Sequence, residues 1–194
     1  MGIPEKLANE VFSKSESKTW ASCVVEWVIC DCDEDEEASG ECVCGQEGLR
    51  YMYAIRNVLN GNIIYPIGSE CIKKFENELL EDEAKCWAQA YRLTNLAVEY
   101  GKTKRISISR DKSMFSRKLL AFMYRNGVFK PNEYNEWDGG NDYLFMLDMF
   151  NARSMTTGQI RKADHVMRES VYPWLRELYK SKTKGVSSYG LQEQ

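Results

Sequence analysis

Apolar positions along this chain follow a strand-like period up to about residue 80 and a helical period after it. Residues 3–13 predict a short helix, with Pro4 suited to its first turn, followed by a polar linker over residues 13–19. Residues 20–32 predict a strand, because Val24, Val25, Trp27, Val28 and Ile29 are β-branched or aromatic. Residues 49–57 alternate with Tyr51, Tyr53 and Ile55 on one side. Leu59-Asn60-Gly61-Asn62 is a hairpin turn, since Asn-Gly tolerates the positive φ that tight hairpins need. Residues 63–67 return as a third strand, which Pro66 places near an edge. Gly68 and Ser69 then open a helix through Cys71, Ile72 and Phe75.

In the second pattern, residues 82–100 space Trp87, Ala90, Leu93, Ala97 and Tyr100 three or four apart, and Gly101 ends that helix. Residues 106–109 predict loop or extended chain. Helical spacing resumes over residues 114–125 and stops at Gly127. Residues 130–140 form a Pro/Asn/Gly loop holding Trp137, and Asn141 predicts the cap of a helix over 142–152. Thr156-Thr157-Gly158-Gln159 matches a capping box for a last helix to about Lys182, kinked or divided at Pro173. The expected fold class is α+β. A three-stranded antiparallel, zinc-bound, treble-clef-like module over residues 1–80 packs with a helical bundle over 81–184. A disordered tail over 185–194 follows.

Charge adds an asymmetry to this division. Residues 1–100 carry 9 Lys/Arg against 19 Asp/Glu, a net of −10, whereas residues 101–194 carry 17 against 10, a net of +7. Such a dipolar chain meets a partner through one charged face, with an on-rate that falls with salt, or else its two halves complement each other. No apolar run approaches the length of a membrane span, and the first residues hold no apolar signal core. A soluble, intracellular protein is the expectation.

The seven cysteines sharpen the picture. In a reducing compartment they are free thiols or metal ligands. Cys42-Val43-Cys44-Gly45 is a sharp turn offering two thiolates, and Cys71 sits at a helix start, where the positive helix end is expected to lower its pKa. A structural zinc takes four ligands in a tetrahedron and favours thiolates. The fourth is expected from upstream: Cys32, beside the loop leading to Cys42, or alternatively Cys30. Cys23 and Cys86 read as core thiols. Four thiolates close the site and leave no position for water. The single histidine, His165, lies on an amphipathic helix and reads as a surface or packing residue. The chain contains no phosphate-binding glycine loop. No active site is visible, and an enzyme is not expected.

Two charged segments offer partner surfaces. Asp33, Glu34, Asp35, Glu36 and Glu37 can imitate nucleic-acid phosphates toward a basic groove, or simply form a solvated loop. Lys102, Lys104, Arg105, Arg110, Lys112, Arg117 and Lys118, interleaved with Phe115 and Phe122, can track a phosphate backbone. Against this, Phe115, Leu119, Phe122 and Met123 have core spacing, and a pI of 5.4 disfavours general nucleic-acid binding.

The residues Glu26-Trp27, Cys42-Val43-Cys44-Gly45, Leu49-Arg50-Tyr51, Ile55-Arg56-Asn57 and Tyr65-Pro66-Ile67-Gly68-Ser69-Glu70-Cys71-Ile72-Lys73-Lys74-Phe75 resemble a zinc-module pattern of small proteins from Gram-positive phages and prophages. The likeness covers about residues 20–80. Phe129-Lys130-Pro131 and Asn141-Asp142-Tyr143 look like what often follows it. Taken whole, the chain resembles the zinc-containing type II-A anti-CRISPR proteins, phage-encoded inhibitors of Cas9. That resemblance implies action in the cytoplasm of a bacterial host, with no small-molecule substrate and no membrane. The mechanism it implies is stoichiometric binding to Cas9 or its guide-RNA complex, blocking DNA loading or cleavage. Cas9 is basic where it holds nucleic acid, which makes the acids 33–37 the expected docking surface. The alternative is a phage replication or recombination accessory that binds single strands through the basic half.

Overall fold

The computed structural model describes residues 2–99 and 105–183 and shows a mixed α+β protein with a three-stranded antiparallel sheet. The predicted tail over 185–194, and Tyr100, Gly101, Lys102 and Lys104, lie outside the described residues. The described residues form two compact units: residues 2–87 with 181–183, and residues 88–99 with 105–180. Among the described residues no helix is long and apolar enough to cross a membrane.

The first unit begins with α1 (Glu5–Lys14), which buries Leu7 and Val11 one turn apart. The predicted strand over residues 20–32 is only half a strand. Residues Trp20–Cys23 form a helical turn, α2, capped by the Thr19 hydroxyl, and a 3₁₀ turn follows at Val24–Glu26. The capping side chain and a buried carboxylate outweigh the β-branched residues here. Glu26 is 3% exposed and accepts from the backbone N–H groups of Glu16 and Ser17 and from Asn57 Nδ2, at 3.0, 2.8 and 2.6 Å. These bonds hold the chain in a turn until Trp27.

Strand β1 (Trp27–Glu34) pairs antiparallel with β4 (Tyr51–Asn57), which also pairs with β5 (Ile63–Ile67), so β4 is central. A bulge between Ile29 and Asp31 shifts the register. Before it Trp27 and Ile29 are buried, and after it Cys32 and Glu34 are, so the bulge reverses which alternate residues face inward. A one-residue insertion has that effect in any strand of period two. The predicted Asn-Gly turn is present, with Gly61 at φ +79°. Pro66 lies in edge strand β5, where a missing N–H costs no ladder bond, and its peptide bond is cis. Two short strands, β2 (Gly40–Glu41) and β3 (Glu47–Leu49), flank the Cys42–Gly45 turn. Helix α3 (Ser69–Lys73) follows β5 directly. Helix α4 (Glu78–Glu99) starts earlier than its periodicity predicts, because Asn77 Oδ1 accepts from Leu79 and Leu80 N–H. The sheet meets the first turns of α4 through Tyr53, whose hydroxyl donates to Ala84 O at 3.1 Å.

The second unit continues α4 and adds α5 (Arg117–Arg125), α6 (Gly139–Asn151), α7 (Thr157–Val166) and α8 (Tyr172–Thr183). Phe115, Leu119, Leu120, Phe122 and Met123 are all buried, as their core spacing predicts. Helix α6 begins three residues before its predicted start at Asp142. Asp138 caps it in place of the predicted Asn141, whose Nδ2 donates to Asn135 O. Gly139 is required there, since a Cβ would stand 2.0 Å from Phe129 O. The Thr156/Gln159 capping box forms as expected. Between α7 and α8 the helix widens into a π segment at Met167–Val171 just before Pro173, the position predicted to kink or divide it. Proline lacks the N–H and crowds the carbonyl one turn back, and a wider turn relieves both.

Candidate metal centre

Three sulfurs converge at one end of the first unit. Cys42 and Cys44 come from the turn between β2 and β3, and Cys71 from α3. Their Sγ atoms all lie within 4.8 Å of one another, and Cys42 and Cys71 are 3.5 Å apart. A tetrahedral zinc with bonds of about 2.3 Å would separate its sulfurs by roughly 3.8 Å, so the spacing suits a shared ion. It is far longer than the roughly 2.05 Å of a disulfide.

The local sequence builds this geometry. Gly45 takes φ +88°, which lets the turn close with Gly45 N–H on Cys42 O at 2.7 Å and Cys42 N–H on Gln46 O at 2.8 Å. Val43 N–H then bonds Pro66 O at 2.9 Å, laying the turn along β5. Gly68 must approach closely, because a Cβ there would meet Leu49 Cδ2 at 2.8 Å. Its N–H points at Cys42 Sγ from 3.3 Å.

The electrostatics distinguish the sulfurs. Cys42 is held down to about 5, chiefly by hydrogen bonding from the Cys71 thiol and also from the backbone of Cys44 and Gly68. Cys71 is pushed up by the same contact with Cys42, and burial adds to the rise. The expected lowering of Cys71 by its helix end is therefore reversed: of the two sulfurs, Cys42 is the one whose ionisation is favoured, and the Cys71 thiol holds its proton more tightly. A divalent ion would take that proton's place and let both sulfurs carry charge.

The other predicted ligands are not part of that close group. Cys32 is buried on the inner face of β1 opposite Tyr53, and neither Cys32 nor Cys30 joins the three-sulfur cluster. Burial, then Asp33, Asp31 and Glu34, push the Cys32 thiol well above its ordinary value. Cys30, at the bulge, directs its thiol to Ala54 O at 3.4 Å. Cys23 and Cys86 are buried, as expected of core thiols. His165 packs edge-on against Tyr134 in the second unit.

The acidic segment 33–37 is built into the fold for most of its length. Asp33 accepts from Tyr65 OH at 2.9 Å. The buried Glu34 carboxylate pairs with Arg50 at 2.8 and 3.0 Å. Asp35 accepts from Ser39 N–H and Oγ at 2.7 and 2.6 Å and from Glu37 N–H at 3.0 Å, closing a turn. Only Glu36 and Glu37 are exposed. Of the basic segment, Phe115 and Phe122 are core and cannot stack on bases, while Lys112 bonds Ala152 O and Arg117 bonds Asn151 Oδ1. The residue that sequence reasoning missed is Glu26. It stands with Trp27 in the zinc-module pattern but was given no role there, and a lone acid beside an apolar run was the physical signal for one.

The chain matches no known family model, no curated protein and no solved structure.

Proposed function

We propose that this protein is a non-catalytic binding protein whose first unit is held by a zinc ion on Cys42, Cys44 and Cys71, and that its target is Cas9. The convergence of three sulfurs from two separate elements carries the metal part of this reading. Thiolate-only donors favour zinc among the common divalent ions. The ion ties the β2–β3 turn to α3, which is a structural role. The target rests on the resemblance of the 20–80 pattern to type II-A anti-CRISPR proteins. The net charge of −10 on residues 1–100 also supports it, being complementary to a nucleic-acid-binding channel.

The deciding experiment is a pair of gel shifts with target DNA, one with the protein alone and one with Cas9–guide complex. Loss of DNA binding by Cas9 at stoichiometric protein supports the inhibitor. Unimpaired Cas9 at that ratio refutes it.

A second reading has one observation in its favour. Tyr134 and Trp137 are 67% and 73% exposed in the basic second unit, and Tyr124 stacks on Tyr143 nearby in sequence. Exposed aromatics on a unit of net positive charge are what single strands can stack on, although Glu133, Glu136 and Asp138 flank Tyr134 and Trp137. A shift of single-stranded DNA by the protein alone, lost in Trp137→Ala, would select this accessory role.

A further inference from the structure

We propose that the metal on Cys42, Cys44 and Cys71 keeps its fourth coordination position for a thiolate from outside the fold. This inference rests on the metal reading above. Tetrahedral zinc needs four donors, and among the described residues no fourth histidine, cysteine or acidic side chain joins the three sulfurs. Cys23, Cys30, Cys32 and Cys86 stand outside the cluster, each in its own packing environment. Cys32, the strongest candidate, faces the sheet interior beside Tyr53. The only histidine packs on Tyr134 in the second unit. Among the described residues no carboxylate joins the three sulfurs.

The side from which a fourth donor would approach follows from burial. Cys42 and Cys71 are each 3% exposed, whereas Cys44 is half-buried and Gly45 and Gln46 are exposed. The coordination sphere is thus closed from the Cys42 and Cys71 side and reachable past Cys44. Charge selects the donor. Lys6 Nζ reaches over the turn to 3.3 Å from where a Cβ on Gly45 would stand, placing a cation at the mouth. An ammonium there favours an anionic sulfur over a neutral imidazole. On binding, the incoming thiol loses its proton to solvent and displaces water from the ion, with no change of oxidation state. Two sources share this chemistry: a small free thiol, or a cysteine side chain of the bound target.

Cobalt(II) loaded into the full chain reports the donor set through its sulfur-to-metal absorption. The expected result is one cobalt per chain and a three-thiolate spectrum. That absorption should rise by about a third on titration with 2-mercaptoethanol, as three sulfurs become four. Imidazole should perturb the spectrum less, Lys6→Ala should weaken the thiol response, and Cys30→Ser and Cys32→Ser should change nothing. Cas9–guide complex added without free thiol separates the sources. A response to native complex that cysteine alkylation removes assigns the donor to the target, and a response to 2-mercaptoethanol alone assigns a free thiol. A four-thiolate spectrum before any addition, reduced in Cys32→Ser or Cys30→Ser, overturns the open position while leaving the metal site standing. Failure to take up cobalt overturns both.

Discussion

Cys42 and Cys71 are separated by 29 positions in sequence and by 3.5 Å between sulfurs. The segment between them contains β3, β4 and β5, so the pair closes a loop around most of the sheet. An ion bridging them would restrain that loop much as a cross-link does, by removing conformations from the unfolded chain.

Metal removal should therefore loosen the first unit. Chelation, or Cys71→Ala, should abolish bound zinc in elemental analysis and lower the melting temperature by about 10 °C, on the order of 3–4 kcal/mol for a chain of this size. The loss should be smaller than the roughly 10–16 kcal/mol of isolated zinc peptides, because the sheet has its own core. Identical melting of the metal-loaded and metal-free protein would contradict a stabilising ion.

Glu26 should matter as much as any core residue. Burial by itself raises its pKa, but hydrogen bonds from Ser17, Asn57 and the Glu16 backbone win and hold it at about 2. A depressed folded-state pKa gives stability that is fully present above the unfolded value near 4.5. That stability is lost as pH falls through about 2. Glu26→Ala should cost on the order of 2–4 kcal/mol, since it strands several donors in the interior. Glu26→Gln should flatten the acid limb of a stability–pH curve between pH 4.5 and 2. An unchanged acid limb in that variant would show that the carboxylate is not the group responsible.

The acidic segment should split by side chain. Glu36→Ser with Glu37→Ser should weaken binding to Cas9 and reduce its salt dependence with a smaller change in melting temperature than Glu34→Ser, as these are the two exposed acids of the five. Glu34→Ser should instead destabilise, because it leaves the Arg50 guanidinium without its buried partner. Melting curves on both variants, run beside binding at two ionic strengths, distinguish charge display from scaffolding.

Gly139→Ala should be the most damaging small change in the second unit. Its methyl would stand 2.0 Å from Phe129 O, so either α6 or the preceding loop must move. A loss of about 2–3 kcal/mol is expected in denaturant unfolding. Gly48→Ala, at φ +82° in open space, should cost only about 1 kcal/mol.

Sequence alone determined the features whose physics is local. Asn60-Gly61 makes a turn, Gly45 bends the Cys42–Cys44 knuckle, and Thr156 with Gln159 caps α7. Each depends on backbone conformations within four residues. Tertiary structure decided what depends on distant partners. The turn at residues 20–26 follows a carboxylate bonded to Asn57, and the bulge near Cys30 sets which alternate residues of β1 face inward. Most of the acids that read as a solvated run are tied to Arg50, Tyr65 and Ser39. Cysteine spacing named Cys42, Cys44 and Cys71 correctly as a group that can hold a metal ion. Spacing carries no register, however, and it is register that sets Cys32 opposite Tyr53 on β1, while the group within 4.8 Å holds only the other three sulfurs.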